Sequence, residues 1–334
     1  MARHVLSTSD QTLIHRKQLG LSDLEVSQVS MGCWPITGMT SLDVNEHDSI
    51  ATLQAAADAG INFFDSAYCY GSEGESERLI AKALGDRREQ LVIASKGGIE
   101  WNRDGTRKID GAPATLKRQC KESLQRLGTD RIDLYYLHAP DPLIPIEESA
   151  IAMDELIHEG LVRYTGASNC TLSQLKTFHQ HCSLTAIQPH YNMLQREIEA
   201  DILPWAKDNN ISAVTYWPLL KGLLAGHLPR DFVFRKGDGR AKYPMFQGPE
   251  WDRNQDFLDQ LRAMAQEKNR SVAEIVINWT IHQTGITSAI CGAKRPYQII
   301  ESAQAMTFRL SESDLTRIKA ALKQRGTPES SAAV

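Results

Sequence analysis

Cysteine is scarce and scattered in this chain of 334 residues. No two cysteines form a Cys-x-x-Cys pair, and the six follow no regular spacing: Cys33, Cys69, Cys120, Cys170, Cys182 and Cys291. Disulfide frameworks belong to much shorter chains, and structural zinc sites need clustered ligands. We predict reduced thiols and no bound metal. The segment with His179, His181 and Cys182 could ligate a metal, but it offers no further ligand, so we expect surface histidines there.

An excess of positive charge and long apolar runs are also missing. The formal net charge is -4 and the sequence pI is about 6.2, whereas nucleic-acid-binding proteins usually carry a strongly basic face. No unbroken apolar run is long enough to span a bilayer, and residues 1–17 lack the apolar segment of a secretory signal. We expect a cytoplasmic protein with no nucleic-acid partner and no membrane contact.

Eight short β-branched or aromatic runs alternate with longer amphipathic stretches, which is typical of βα units around a parallel sheet. The runs are VSQVSMG, INFFDSA, LVIASK, IDLYYLH, VRYTGAS, AIQPHYN, ISAVTYW and ITSAICG. Eight parallel strands close a (β/α)8 TIM barrel. We predict this α/β fold as a single domain over residues 16–325, with flexible tails at 1–15 and 326–334.

Two additions to the barrel are predicted. The segment HRKQLGLSDLEVSQVSM indicates an N-terminal β-hairpin that plugs the barrel bottom. Between the seventh and eighth strands, a Gly- and Pro-rich loop over residues 226–249 precedes amphipathic helices near 255–268 and 272–283. An insertion of this length is typical of a binding loop or lid. A further helix is expected at the C-terminus.

Four chemically active residues lie at or just after the ends of predicted strands. Asp65 lies in the second run and Tyr70 follows five positions later, while Lys96 and His138 close the third and fourth runs. Because the carboxyl ends of barrel strands meet at one face, we predict one catalytic site. The ordinary pKa of tyrosine is about 10, and we expect Lys96, held by Asp65, to lower the pKa of Tyr70. His138 would then orient a carbonyl that Tyr70 protonates.

Other interpretations of these residues stay open. A strand-end aspartate can be a structural cap, a tyrosine in an aromatic run can belong to the core, and a buried Lys–Asp pair can be purely structural. Lys96 could form a Schiff base in a lyase, although Asp65 would keep its amine protonated. Cys69 could be an oxidation-sensitive thiol if its pKa were lowered, but packing is the favoured role.

The chain resembles the aldo-keto reductase family from about Arg16 to about Lys323. FFDSAYCYGSEGESERLIAKAL is similar to the family segment with the catalytic Asp and Tyr, SLQRLGTDRIDLYYLHAPDP to the segment ending in the catalytic His, and LVRYTGASN to the stretch after it. GLLAG and GAKRPYQIIES are most similar to bacterial members and the potassium-channel β-subunit branch. The resemblance implies NADPH-dependent reduction of an aldehyde or ketone to an alcohol, with Tyr70 as general acid.

The resemblance also implies a cofactor site on the barrel itself, in agreement with the lack of a Gly-x-Gly-x-x-Gly motif after any strand. The residues it assigns are Cys33, Trp34, Asp65, Ser168, Asn169, Gln188, Tyr216, Trp217, Pro218, Leu219, Gly222, Leu223, Gly292, Lys294, Arg295, Gln298 and Ser302. Tyr216 would stack on the nicotinamide ring. Lys294 and Arg295 would lie at an adenosine 2′-phosphate, which favours NADPH over NADH. Ser302 stands where the family usually has Asn.

The predicted substrate pocket consists of Trp34, Tyr70, Trp101 and His138. Met39 and Trp251 are further candidates for an apolar wall, since all these aromatic and sulfur side chains are predicted in loops at the catalytic face. We expect a small-molecule carbonyl with an aromatic or alkyl body. The alternative function is an NADPH-binding, redox-sensing regulatory subunit with little turnover, as in the channel β-subunit branch. The sequence does not indicate an oligomeric state.

Overall fold

The computed structural model describes residues 15–328, and the predictions for residues 1–14 and 329–334 fall outside this range. Within residues 15–328, strands and helices alternate as predicted. The strands are β1 (Arg16–Gln18), β2 (Glu25–Ser27), β3 (Val29–Gly32), β4 (Phe63–Asp65), β5 (Val92–Gly97), β6 (Ile99–Trp101), β7 (Arg107–Ile109), β8 (Ile132–Leu137), β9 (Val162–Ser168), β10 (Leu184–Gln188), β11 (Ser212–Tyr216) and β12 (Ile286–Gly292). The α-helices are α1 (Glu46–Asp58), α2 (Glu75–Leu84), α3 (Pro113–Leu127), α4 (Ile146–His158), α5 (Leu172–His181), α6 (Ile202–Asp208), α7 (Gly248–Glu267), α8 (Val272–Ile281), α9 (Pro296–Gln304) and α10 (Glu312–Arg325).

Eight parallel strands close into a barrel in the ring order β10-β11-β12-β3-β4-β5-β8-β9. Each of the eight predicted runs overlaps one of these strands, so the (β/α)8 prediction is confirmed. Every residue of β5 and β8 is buried, because such strands face the barrel interior on one side and helices on the other. The register pairs Gly32 with Asp65 and Lys96 with Tyr136, which aligns the strand ends at one face.

The helix ends follow local sequence signals. The side chain of Asn45 accepts a hydrogen bond from the backbone of Asp48 and caps α1. Thr171 forms a capping box with Gln174 at the start of α5. Gly128 ends α3 with φ of 63°, a left-handed conformation that glycine adopts without steric cost. Each of these three helix ends therefore has a local sequence signal.

The N-terminal hairpin packs beneath the barrel as predicted. β1 and β2 pair antiparallel. Leu19, Leu24 and Val26 are buried in one cluster with barrel-interior residues that include Phe63 and Tyr136. The hairpin therefore covers the end of the barrel opposite the strand termini that carry the chemistry.

The insertion between β11 and β12 contains the two predicted helices, but α7 is longer than expected. It begins at Gly248, with Pro249 in its first turn, because a proline there loses no helical hydrogen bond. The sequence prediction placed this proline in the loop. Short 3-10 turns at Leu220–Ala225, Gly239–Lys242 and Pro244–Phe246 occupy the rest of the insertion.

A second hairpin at the catalytic face was not predicted. β6 and β7 pair antiparallel, so that Trp101 faces Arg107 across the turn. The local signal was Asp104 followed by Gly105, which has φ of 79°. Among residues 15–328, no helix has the length and apolar character needed to cross a membrane.

Candidate active site

Asp65, Lys96 and Tyr70 meet at the carboxyl end of the barrel. Lys96 Nζ donates to Asp65 Oδ1 at 2.5 Å and to the Ser66 carbonyl at 2.7 Å, and it lies 3.3 Å from Tyr70 Oη. The side chains of Lys96 and Asp65 are 0% and 2% exposed. The convergence predicted from the strand ends is therefore present in the structure.

The loop after β4 brings Tyr70 to this point by pairing with β5. Ser66 N donates to the Ala94 carbonyl at 2.9 Å, and Tyr68 N donates to the Lys96 carbonyl at 3.0 Å. These bonds continue the parallel pairing of β4 with β5 beyond the last strand residue. The backbone that presents Tyr70 is thus attached to the strand that presents Lys96.

Burial dominates the acidity of Tyr70. It raises the pKa of Tyr70 well above the usual value of 10, and the negative charge of Asp65 adds to the shift. The prediction that Lys96 lowers the pKa of Tyr70 below its ordinary value is wrong, because the nearby ammonium only opposes a larger desolvation effect. Tyr70 keeps its proton near neutral pH and is available as a proton donor.

His138 faces Tyr70 as a neutral imidazole. Burial, together with the positive charges of Lys96 and Arg107, holds the pKa of His138 well below 6.5. Its ring centroid lies 5.8 Å from that of Tyr70, edge to face. A neutral imidazole carries one N–H group, which can donate to a carbonyl oxygen.

Cys69 lies against His138 with a protonated thiol. Its Sγ is 3.6 Å from His138 Nδ1. Burial raises the pKa of Cys69 to about 12, so the reactive thiolate is scarce at neutral pH. The structure agrees with the packing role expected for this residue.

Aromatic rings form a wall beside Tyr70. Trp34 packs edge-on against Tyr70 with centroids 5.0 Å apart, and Trp101 lies 6.4 Å from Trp34. The unpredicted hairpin of β6 and β7 holds Trp101, whose Nε1 donates to the Cys69 carbonyl at 2.7 Å. Trp34 and Trp101 therefore lie where the sequence placed a substrate pocket.

The other two wall candidates differ in position. Met39 Sδ accepts from Gly71 N at 3.2 Å, next to Tyr70. Trp251 instead packs against Phe246 and donates to the Arg230 carbonyl at 2.9 Å within the insertion. Met39 thus adjoins the predicted pocket, whereas the contacts of Trp251 belong to the insertion.

Amide and hydroxyl groups line the ends of β9, β10 and β11 beside Asp65. Gln188 Nε2 donates to Asp65 Oδ2 at 2.7 Å, and Ser168 Oγ donates to the Gln188 carbonyl at 2.8 Å. Asn169 Nδ2 donates to the His138 carbonyl at 2.9 Å, while its Oδ1 accepts from Tyr216 Oη at 2.7 Å. These contacts bring together Ser168, Asn169 and Gln188 with Tyr216, which the resemblance assigned to stacking on the nicotinamide ring.

The loop after β11 has an unusual run of left-handed backbone. Trp217, Leu220, Lys221 and Gly222 have φ of 59°, 43°, 55° and 89°. Loops that combine such conformations can direct backbone N–H groups into a concavity that binds anions. A Cβ built on Gly222 would lie 3.4 Å from Arg240 Nη1, so a guanidinium adjoins this backbone.

Two predicted phosphate ligands are engaged with the loop between β3 and α1. Lys294 Nζ donates to the Leu42 carbonyl at 2.6 Å, and Arg295 Nη2 donates to the Asp43 carbonyl at 2.6 Å. Arg235 from the insertion pairs with Asp43 Oδ2 at 2.7 Å. Burial lowers the pKa of Lys294, and the charge of Arg295 adds to this effect. A cluster of cations therefore surrounds one short loop.

The remaining assigned cofactor residues differ in what they can offer. Cys33 and Leu223 are fully buried, so they could contribute backbone groups only. Gln298 Oε1 accepts from Lys294 N at 2.9 Å, and Ser302 Oγ donates to the Gln298 carbonyl at 3.0 Å. The hydroxyl of Ser302 is therefore engaged within α9. Other assigned positions lie in the same loops: Pro218 and Leu219 follow Trp217, and Gly292 ends β12.

His179, near the end of α5, has structural contacts. His179 Nδ1 accepts from Leu184 N at 3.0 Å, and its ring packs edge-on against Trp205. Within the described range of 15–328, no three His, Cys, Asp or Glu side chains are placed to hold a metal ion.

These features fit a nicotinamide dinucleotide. Amide and hydroxyl groups, which can bind a carboxamide, lie next to the phenol of Tyr70. The loop with left-handed backbone and the cation cluster can bind phosphate groups. Functional groups of a parallel barrel collect at the carboxyl ends of its strands, and the groups present here are of the kind that an oxidoreductase with a nicotinamide cofactor uses.

The chain belongs to the aldo/keto reductase family, whose model matches residues 28–323. It is thus a member of a family of oxidoreductases that use nicotinamide cofactors and act on small-molecule carbonyl compounds. The predicted resemblance is confirmed.

Known relatives match over nearly their whole length. The chain is 35% identical over 303 residues to the aldo-keto reductase YhdN of Bacillus subtilis, covering 90% of this chain and 91% of the relative. It is 32% identical to the NADH-specific methylglyoxal reductase of Escherichia coli, covering 90% of this chain and 96% of that protein. Among solved structures, glycerol dehydrogenase AKR11B4 of Gluconobacter oxydans superimposes with a TM-score of 0.88 at 30% identity, covering 98% and 99% of the two chains.

Proposed function

We propose that this protein reduces a small aldehyde or ketone to the alcohol, with Tyr70 as the general acid and NADPH as the cofactor. The observation that carries the proposal is the contact of Tyr70 Oη with Lys96 Nζ at 3.3 Å, beside Trp34, whose ring centroid lies 5.0 Å from that of Tyr70. In this chemistry the bound nicotinamide supplies the hydride.

Tyr70 and Lys96 divide the proton transfer between them. The buried phenol keeps its proton until negative charge develops on the carbonyl oxygen, and it then donates that proton. The phenolate that results lies beside the Lys96 ammonium, which stabilises it electrostatically. Asp65 accepts from both Lys96 and Gln188 and so fixes the direction of the ammonium.

His138 and the tryptophans position the carbonyl compound. The neutral imidazole donates its N–H to the carbonyl oxygen and turns that oxygen toward Tyr70. Trp34 and Trp101 contact the apolar body of the substrate and exclude water from the reacting atoms.

The cofactor contacts are proposed for the groups that the structure brings together. Ser168, Asn169 and Gln188 bind the carboxamide, and Tyr216 covers the ring. The loop from Trp217 to Leu223 and the exposed end of β12 hold the pyrophosphate, with Gln298 and Ser302 on the adenine side.

NADPH is favoured over NADH by the charge of this chain. Lys294, Arg295 and Arg235 lie close together around Leu42 and Asp43. A 2′-phosphate would relieve the repulsion among these cations by replacing weaker carbonyl contacts with charge-assisted bonds. The NADH-specific relative shows that preference varies within the family, so the argument rests on the cations of this chain.

Fluorescence titration tests the cofactor preference, since Trp217 lies in the proposed binding loop. We expect NADPH to bind at least about tenfold more tightly than NADH, equivalent to about 1.4 kcal/mol. Lys294→Met should weaken NADPH binding and leave NADH binding within twofold, whereas Lys319→Met, which replaces an exposed lysine on α10, should change neither. Equal affinities of the unmodified protein for both nucleotides would refute the preference.

Turnover distinguishes the enzyme from the regulatory subunit. Purified protein should oxidise NADPH in the presence of 4-nitrobenzaldehyde or methylglyoxal at about 1–100 s⁻¹, the range of ordinary enzymes. Tight NADPH binding with negligible turnover on a panel of such carbonyls would favour the sensor. Borohydride trapping of a substrate adduct on Lys96 would instead favour the lyase.

A further inference from the structure

Glu77 is a buried carboxylate that the proposed chemistry does not use. It lies in the first turn of α2, and its side chain is 0% exposed. Glu77 Oε1 accepts from Ser95 Oγ at 2.5 Å, and Oε2 accepts from Arg126 Nη1 at 3.3 Å. Since Ser95 directly precedes Lys96 on β5, this carboxylate contacts the strand beside the active-site ammonium.

Arg126 connects the same carboxylate to the loop that carries Tyr70. Its Nη1 also donates to the Tyr68 carbonyl at 3.1 Å, and its guanidinium carbon lies 4.2 Å from the centre of the Tyr68 ring. The loop is shaped around this side chain. Gly74 has φ of 77°, and a Cβ there would lie 2.5 Å from Arg126 Cδ.

A pair of serines makes a parallel connection. Ser66 Oγ and Ser76 Oγ lie 2.7 Å apart, and the Ser66 carbonyl accepts from Lys96 Nζ at 2.7 Å. Ser76 is the neighbour of Glu77 at the start of α2. One helix start thus contacts both ends of the segment that places Tyr70.

We propose that the Glu77–Arg126 ion pair is a positioning device that holds the Tyr70 loop against β5 and thereby sets the separation of Tyr70 Oη and Lys96 Nζ. Neither residue touches the reacting atoms. The inference rests on the proposed role of Tyr70 as proton donor.

The physical reason is the sensitivity of proton transfer to distance. A displacement of about 1 Å at a reacting group can reduce a rate about a hundredfold. A buried ion pair, in contrast, is weak evidence of a stabilising role, because desolvation offsets much of its attraction. The Glu77–Arg126 pair connects the loop that carries Tyr70 with the strand that carries Lys96, so we assign it a role in active-site geometry more than in folding stability.

A second buried ion pair that contacts β5 provides a control, in which the carboxylate of Asp133 also has Arg163 as a partner at 3.2 Å. Arg88 pairs with Asp133 at 2.8 Å, with side chains 14% and 2% exposed against 14% and 0% for Arg126 and Glu77. Asp133 also bonds to β5, accepting from Ile93 N at 2.9 Å. This contact lies toward the amino end of the strand, away from Tyr70 and Lys96.

The experiment compares Arg126→Met with Arg88→Met. We expect both variants to lose thermal stability, but only Arg126→Met to lower kcat, by at least about tenfold. Its NADPH Kd and substrate KM should stay within threefold of wild type, and its solvent deuterium isotope effect on kcat should increase because proton transfer becomes slower. Arg126→Lys, which keeps a donor between Glu77 and Tyr68, should recover most of the lost kcat.

Equal losses of kcat in the two methionine variants would overturn the proposal. An unchanged distance between Tyr70 Oη and Lys96 Nζ in a crystal structure of Arg126→Met would also overturn it.

Ser95→Ala is the second variant, for use if Arg126→Met does not fold. It removes the contact of Glu77 with β5 and should lower kcat in the same way, and an unchanged kcat would refute the proposal. If the wild type has no turnover, the proposed function fails. The distance between Tyr70 Oη and Lys96 Nζ in the crystal structure of Arg126→Met still tests the positioning role in that case.

Discussion

At the scale of residues, the sequence predicted which groups meet but not how they behave. Asp65, Lys96 and His138 could be identified because each closes a strand-like run, and strand ends converge in a barrel. The pKa of Tyr70 was predicted in the wrong direction, since spacing does not show how strongly the surroundings of the phenol desolvate it. Glu77 and Arg126 were missed because charged residues in amphipathic helices usually face solvent.

The pH dependence of the two reaction directions follows from these groups. In the proposed mechanism reduction needs a protonated Tyr70, and the raised pKa of Tyr70 keeps it protonated, so we expect kcat for reduction to be nearly constant from about pH 6 to 9. His138 stays neutral over this range because its pKa is far below 6.5. Alcohol oxidation needs the phenolate, so its kcat/KM should rise by up to about tenfold per pH unit.

Steady-state kinetics in both directions check this prediction. Cys69 and Tyr216, which lie beside Tyr70, do not titrate in the same interval, since burial raises the pKa of both to about 12. A reduction rate that declines between pH 7 and 8 would show that the donor ionises there and would contradict the account.

At the scale of elements, strands were predicted better than the connections between them. The barrel strands are short and apolar, and each overlaps its predicted run, although β10 begins two residues before its run and β5 ends one residue after its run. The hairpin of β6 and β7 escaped prediction because Arg107 and Lys108 give β7 no apolar alternation. This hairpin holds Trp101, a residue of the proposed substrate pocket, against the carbonyl of Cys69.

Trp101 should therefore affect substrate binding. Trp101→Ala should raise the KM for 4-nitrobenzaldehyde by about 2- to 10-fold, as expected from the loss of aromatic contacts worth about 0.5–1.5 kcal/mol. The KM for methylglyoxal, which has little apolar surface, should change less. Trp251→Ala is the matched control, because Trp251 also donates to a backbone carbonyl but packs within the insertion. If both substitutions raise the KM for 4-nitrobenzaldehyde equally, Trp101 does not line the substrate pocket.

At the scale of the whole molecule, we expect one end of the barrel to carry the chemistry and the opposite end to contribute mainly to stability. Polar groups collect at the carboxyl ends of the strands, whereas the N-terminal hairpin buries apolar side chains at the opposite end. The sequence predicted this division through strand count and hairpin pattern. The pairing of the cation cluster with Asp43 could not be predicted, because it joins three segments that are distant in sequence.

Leu19 tests the separation. It is fully buried beneath the barrel, so Leu19→Ala should lower the free energy of unfolding by about 2–5 kcal/mol through lost burial and a cavity. The kcat for carbonyl reduction, measured well below the transition temperature, should stay within twofold of wild type. A large loss of kcat in a variant that remains folded would show that the two ends of the barrel are coupled.

The most direct test of the account is the turnover of Tyr70→Phe, which removes the phenolic hydroxyl beside Lys96 and leaves the ring among its aromatic neighbours. We predict that kcat for reduction falls by about 10²- to 10⁴-fold, the usual contribution of a general acid, while NADPH affinity measured by fluorescence stays within threefold. A variant that binds NADPH normally and keeps more than a tenth of the wild-type kcat would show that the proton comes from another group.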